Sequence, residues 1–127
     1  MNDPLEGPMA WLLLACGSPT LAGPTQTVET SAATVQVPAD WALVRTGAQL
    51  RATEPSTTRC GPATVVLEPY PTAGSDTVER SGMRCETERT VRHLAGTRLT
   101  CEASYERDGF GPPTTICAAI VATYAAR

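Results

Sequence analysis

The alternation of apolar and polar positions is clearest in the second half of the chain. From Thr97 to Tyr105, Leu99, Cys101, Ala103 and Tyr105 fall on one side, and Arg98, Thr100, Glu102 and Ser104 on the other. That period of two marks a strand with one buried face. Thr90 to Leu94 precedes it across Ala95-Gly96, a two-residue connection suited to a tight hairpin. Ala63 to Glu68 is an unbroken run rich in β-branched residues, which predicts a central strand covered on both faces. Thr114 to Tyr124 reads as a long final strand, apolar on both sides.

Upstream, Thr34-Val35-Gln36-Val37 alternates and Pro38-Ala39-Asp40 punctuates it. Trp41 to Arg45 and Gln49 to Ala52 then frame a turn at Thr46-Gly47, with Trp41 as a core anchor. Glu54 to Pro62 is a loop. A helix is predicted once. Asp76 followed by Glu79 has the form of a capping box, opening a short helix with Val78, Gly82 and Cys85 on its inner face. The expected class is α+β: an antiparallel sheet with one or two short helices and two disulfides.

The N-terminal third has a different texture. Pro8 to Ala15 is nearly all apolar and ends in Leu13-Leu14-Ala15-Cys16. This resembles the lipobox of a bacterial lipoprotein signal peptide, and the resemblance implies cleavage before Cys16 and lipidation of its thiol. Residues 1–15 would be the signal peptide, and residues 16–33 the lipidated cysteine and a flexible tether. Residues 34–127 would be the folded domain. Residues 17–33 are rich in Gly, Pro, Ser and Thr, a composition that buries little surface against its ordering entropy. Met1 to Pro8 carries Asp3 and Glu6 and no basic residue, unlike the n-region of a signal peptide. Either the true start lies upstream, or residues 9–16 are a strand or short helix of the domain; the tether-like segment after Cys16 favours the first. Gly17, where lipoproteins kept in an inner membrane often carry Asp, points to the periplasmic face of an outer membrane.

Composition narrows the chemistry. The net charge is -3, and every one of the 10 basic residues is arginine. With no basic stripe, nucleic acid is not an expected partner. A chain without lysine has no Schiff-base chemistry. The five cysteines, 16, 60, 85, 101 and 117, include no Cys-x-x-Cys pair, so no metal or other cofactor is expected. Assigning Cys16 to lipid leaves four cysteines for two disulfides. A final hairpin symmetric about Gly109 would set Cys101 opposite Cys117 and leave Cys60 for Cys85, although that register puts Ile116, Ile120 and Tyr124 on the side of Arg98 and Glu102.

Candidate catalytic groups are few. His93 is the only histidine, placed on a surface strand between Arg92 and Leu94, and no Gly-x-Ser-x-Gly elbow accompanies it. Glu86 and Glu88, and the group Glu102, Glu106 and Asp108, are interleaved with Arg84, Arg89, Arg98 and Arg107, the pattern of a solvated, salt-bridged surface. Phe110, flanked by glycines and preceded by Arg107 and Asp108, sits at a loop tip as a candidate partner contact, unless it folds back onto the sheet.

From Val35 onward the order of features includes Pro38-x-x-Trp41, a hairpin, a strong strand, a helix, and Leu94-Ala95-Gly96-Thr97-Arg98-Leu99 entering a strand pair. This is similar to the Mog1/PsbP-like α/β/α fold, whose members mostly have binding or assembly roles. The sequence therefore leads to a non-enzymatic lipoprotein of the cell envelope that binds another envelope component. Two other readings stand beside it: an immunity-type or inhibitor lipoprotein that blocks a specific toxin or enzyme, and a small hydrolase using His93.

Overall fold

The structure is a computed structural model that describes residues 20–56, 58–106 and 116–127. Nine strands and one helix lie among the described residues: β1 (Thr25–Glu29), β2 (Ala33–Pro38), β3 (Ala42–Thr46), β4 (Gln49–Thr53), β5 (Thr64–Pro69), β6 (Thr77–Ser81), β7 (Cys85–Leu94), β8 (Thr97–Glu106), α1 (Ile116–Val121) and β9 (Ala125–Ala126). They form a six-stranded sheet in the order β3-β4-β5-β8-β7-β6 and a three-stranded sheet in the order β1-β2-β9, with all pairings antiparallel. Strand takes 55% of the described residues and helix 6%, so the antiparallel sheet with two disulfides is closer to all-β than to α+β.

The core lies between one face of the large sheet and a cover made of β1, β2 and α1. Leu50, Ala52, Val65, Leu67, Leu99, Cys101 and Ala103 come from the sheet; Val28, Val35, Val37, Cys117 and Ile120 come from the cover. Trp41, just before β3, is buried with them as its size predicts. β8 buries Thr97, Leu99, Cys101 and Ala103 and leaves their alternates partly exposed, as the pattern requires. β5 is central in the sheet, but only Val65 and Leu67 are buried while Val66 is partly open. Its β-branched continuity reflects strand propensity and not two-sided burial.

Three elements differ from the sequence expectation. The segment Asp76 to Cys85 is strand β6 and a turn, not a helix. Asp76 does not cap anything; its Oδ1 accepts the backbone N–H of His93 instead. Gly82 has φ 108, and a Cβ there would lie 2.2 Å from the Cys85 carbonyl oxygen. The reversal here requires glycine, because no side chain fits and φ is positive. Gly82→Ala is expected to destabilise the fold by about 2 kcal/mol through strain and clash, measured by chemical denaturation.

The final apolar run is helix α1 followed by the two-residue strand β9, not one long strand. Cys117 and Ile120 share one helical face and are buried, Ala118-Ala119 favours helix, and Tyr124, beyond the helix end, packs against the core. Thr123 closes the helix, its Oγ1 donating to the Ile120 carbonyl at 2.7 Å and accepting the Gln36 N–H at 2.8 Å.

The third difference lies in the predicted tether. Residues Thr25–Glu29 form β1, paired along its length with β2. Threonine is β-branched and favours strands, so a Thr-rich segment is poor in apolar groups without being unstructured. Val28 supplies the buried anchor. Gln26 Nε2 donates to the Trp41 carbonyl at 2.7 Å, and Thr30 Oγ1 accepts the N–H groups of Ala32 and Ala33 to shape the turn into β2. Leu21 also packs against the core. The folded part thus begins before Thr34.

Candidate functional site

The described residues concentrate polar chemistry around the β7–β8 turn. Ala95 and Gly96 both take positive φ, 50° and 71°, which makes this the tight two-residue hairpin read from the sequence. The loop after β5 folds back along it, with the Tyr70 N–H donating to the Gly96 carbonyl at 2.8 Å. This brings Tyr70 and Asp76 to His93.

His93 is held on several sides. Asp76 Oδ1 takes its backbone N–H at 2.9 Å and lies 3.2 Å from its Nδ1. The Tyr70 ring centroid is 4.9 Å from the imidazole, and the Arg98 guanidinium sits 4.4 Å over Tyr70. Arg98 in turn donates through Nε and Nη2 to Glu68 Oε2 at 3.1 and 2.8 Å, and Gln49 reaches the other Glu68 oxygen at 3.2 Å. A Cβ on Gly74 would come within 2.4 Å of His93 Nε2, so the imidazole packs where only glycine leaves room. With its side chain only 15% exposed, His93 is less open than a surface-strand histidine.

A shallow depression of about 410 Å³ beside it is lined by Tyr70, Pro71, Gly74, His93, Leu94 and Thr97, among others. An imidazole oriented by a carboxylate is the geometry of a general base. The hydroxyls lining it are those of Tyr70, Thr72 and Thr97, with no serine or cysteine among the described lining residues. Asp76 also binds the backbone of β7, so the pair ties the Tyr70–Asp76 loop to the sheet.

On the other face of the same turn, Thr97 Oγ1 donates to the Leu94 carbonyl at 2.6 Å and lies 2.5 Å from the Tyr124 hydroxyl. Burial pushes Tyr124 above the ordinary tyrosine value; the Asp76 charge acts in the same direction, and the Thr97 hydrogen bond opposes both. A group whose folded pKa is raised contributes stability below its unfolded value, and that stability is lost as the pH rises through the folded value. The wild-type fold is therefore expected to weaken above about pH 10. Tyr124→Phe should remove that alkaline component while costing about 1 kcal/mol at neutral pH, both read from denaturation midpoints against pH.

The remaining candidates separate. Glu86 and Glu88 share one face of β7 but have different partners. Glu86 accepts the Tyr105 hydroxyl. Glu88, only 5% exposed, takes Arg80 Nε and Nη2 at 3.0 and 2.8 Å. Burial of Glu88 has no signal in the sequence, because its position depends on β6 being a strand. Arg89 pairs with Glu102 at 3.9 Å and Arg59 with Glu106 at 3.6 Å, both on the solvated surface. Such pairs contribute little to stability. No group of three or more His, Cys, Asp or Glu able to hold a metal occurs among the described residues.

The disulfides are Cys60–Cys85, with Cα atoms 5.4 Å apart, and Cys101–Cys117, at 5.7 Å. The pairing is the one expected, but the geometry behind 101–117 is not. It joins β8 to α1 across the core, so no hairpin register applies, and the misplacement of Ile116 and Ile120 disappears. Cys16, Arg107, Asp108 and Phe110 lie outside the described residues. No helix among the described residues is long and apolar enough to cross a membrane. Comparison of the chain with protein-family models, with curated proteins and with solved structures finds no match in any of the three.

Proposed function

We propose that this chain is a non-enzymatic, lipid-anchored protein of a bacterial cell envelope, tethered through Cys16 and binding another envelope component. The observation that carries the reading is the closure of four cysteines on one another, 60 with 85 and 101 with 117. Of the chain's five cysteines, Cys16 alone is left without a cysteine of its own chain to pair with. Paired cysteines also belong to an oxidising, exported compartment. Leu13-Leu14-Ala15 before Cys16 matches the pattern at which lipoproteins are cleaved and acylated. Acyl chains contribute about 0.8 kcal/mol per buried CH₂, and more than one chain makes the anchor stable.

Ordering of Leu21 and β1 shortens the spacer. If Cys16 sits at the membrane, Gly17 to Thr20 spans at most roughly 14 Å, so the domain works close to the lipid surface. Its partner is then a component of the same membrane or of the layer next to it. The test is fractionation of the native cell. The wild-type chain is expected in the detergent-extracted membrane fraction, and Cys16→Ser in the soluble fraction with the same two disulfides. Equal distribution of the two proteins contradicts the anchor.

A further inference from the structure

Among the described residues, the large sheet ends in β3 on one side and β6 on the other. Both strands have five residues, and both are exposed at every position. An uncovered edge presents unpaired N–H and C=O groups, a template for another strand, and proteins guard such edges with charge. The two edges differ in what each meets when it faces a second copy of itself. We infer that β3 is an association edge, pairing antiparallel about a two-fold axis with β3 of a second copy of this chain.

The register follows from the hairpin. β3 and β4 are joined by Gly47-Ala48, with Thr46 opposite Gln49 and Gly47 at φ 61. The residues flanking a two-residue turn form a hydrogen-bonded pair, and such pairs alternate along the ladder. Thr46, Val44 and Ala42 therefore point their backbone groups at β4, and Leu43 and Arg45 point theirs at the free edge. A register that overlaps all of β3 with its copy sets Ala42 opposite Thr46, Leu43 opposite Arg45, and Val44 on the axis. Each outward N–H and C=O of Leu43 and Arg45 then meets its complement on the other chain.

The side chains agree with that register. Val44 meets Val44 as a close β-branched pair, and the aliphatic stem of Arg45 lies along Leu43 with its charge in water. No like charges oppose each other. Leu43 and Val44, 43% and 55% exposed, are the large apolar side chains such pairing covers. Shifting the register to set Arg45 against Arg45 brings like charges together. β6 cannot do the same, because full overlap of Thr77–Ser81 with its copy opposes Glu79 to Glu79. The contact is isologous, so it closes at two copies and does not propagate.

The test is oxidation of the full chain carrying a single added cysteine. Val44→Cys is compared with Val78→Cys, equally accessible at 51% but on the opposite edge, with the wild type as the blank. Val44→Cys is expected to form a disulfide-linked dimer at least about tenfold faster, because pairing raises the local thiol concentration. Adding Arg45→Pro should return the rate to that of Val78→Cys. Proline there removes an edge N–H while leaving the bonds to β4 intact, and circular dichroism checks that the variant is folded. Equal rates for the two cysteines, or a fast Val44→Cys rate that Arg45→Pro leaves unchanged, overturn the inference.

Discussion

Replacing Cys101 and Cys117 together with alanine is expected to cost more stability than removing the other disulfide, Cys60–Cys85. Freeing the 16-residue separation returns about 3 kcal/mol of chain entropy to the unfolded state. Both sulfurs are fully buried, so the space they leave adds about 1 to 2 kcal/mol. The sum approaches the whole stability of a small domain, about 5 kcal/mol at the low end. The bridge is also the covalent tie between α1 and the sheet, so the helix should loosen with it. The Cys60–Cys85 pair offers a control. It spans a longer separation of 25 residues, and loop closure alone ranks it slightly higher, near 3.5 kcal/mol. Its cysteines are only partly buried, so the cavity cost is small. Guanidinium denaturation of the two double variants decides which factor dominates; the account expects the 101–117 variant to be the weaker.

Leu99→Ala is expected to cost about 3 kcal/mol. Leu99 and Leu67 sit directly opposite each other on the two central strands, and both are fully buried. Both belong to the buried cluster shared by the sheet and its cover, so truncation opens space at the interface of the two layers. Leu67→Ala should cost a similar amount. The double variant should lose less than the two added together, because the two cavities merge. Val44→Ala, on the exposed edge, is expected to stay within about 0.5 kcal/mol of wild type. A flat result across all four variants would mean that the core does not lie between these layers.

Much of the sheet was legible because alternation on β8 and the Ala95-Gly96 turn are local signals that need no tertiary information. Trp41 was legible for the same reason, since a large ring beside a strand start has few places to go but inside. What misled was local form without context. Asp76 and Glu79 fit a capping box, but the carboxylate of Asp76 is engaged by His93 from a strand distant in sequence. Ile116 to Tyr124 is apolar enough to suit either strand or helix, and length and flanking residues did not decide between them. β1 was missed because threonine lowers hydropathy while raising strand propensity. Of the candidate site, the cysteine pairs came from the sequence. The contacts of Tyr70, Gly74 and Arg98 with His93 did not, because they depend on the path of the loop after β5.

These corrections bear on the proposed role. A domain that begins at β1 and not at Thr34 shortens the proposed leash from Cys16, which would bring the proposed partner closer to the membrane. The two disulfides and the anchor form one account of the five cysteines, and it stands or falls on Cys16. Intact-mass spectrometry of the protein extracted from native membranes tests it most directly. The account predicts a chain that starts at Cys16, carries diacylglycerol and an amide-linked acyl group, and gains four hydrogens on reduction. A water-soluble chain with Met1 intact and an unmodified Cys16 would contradict it.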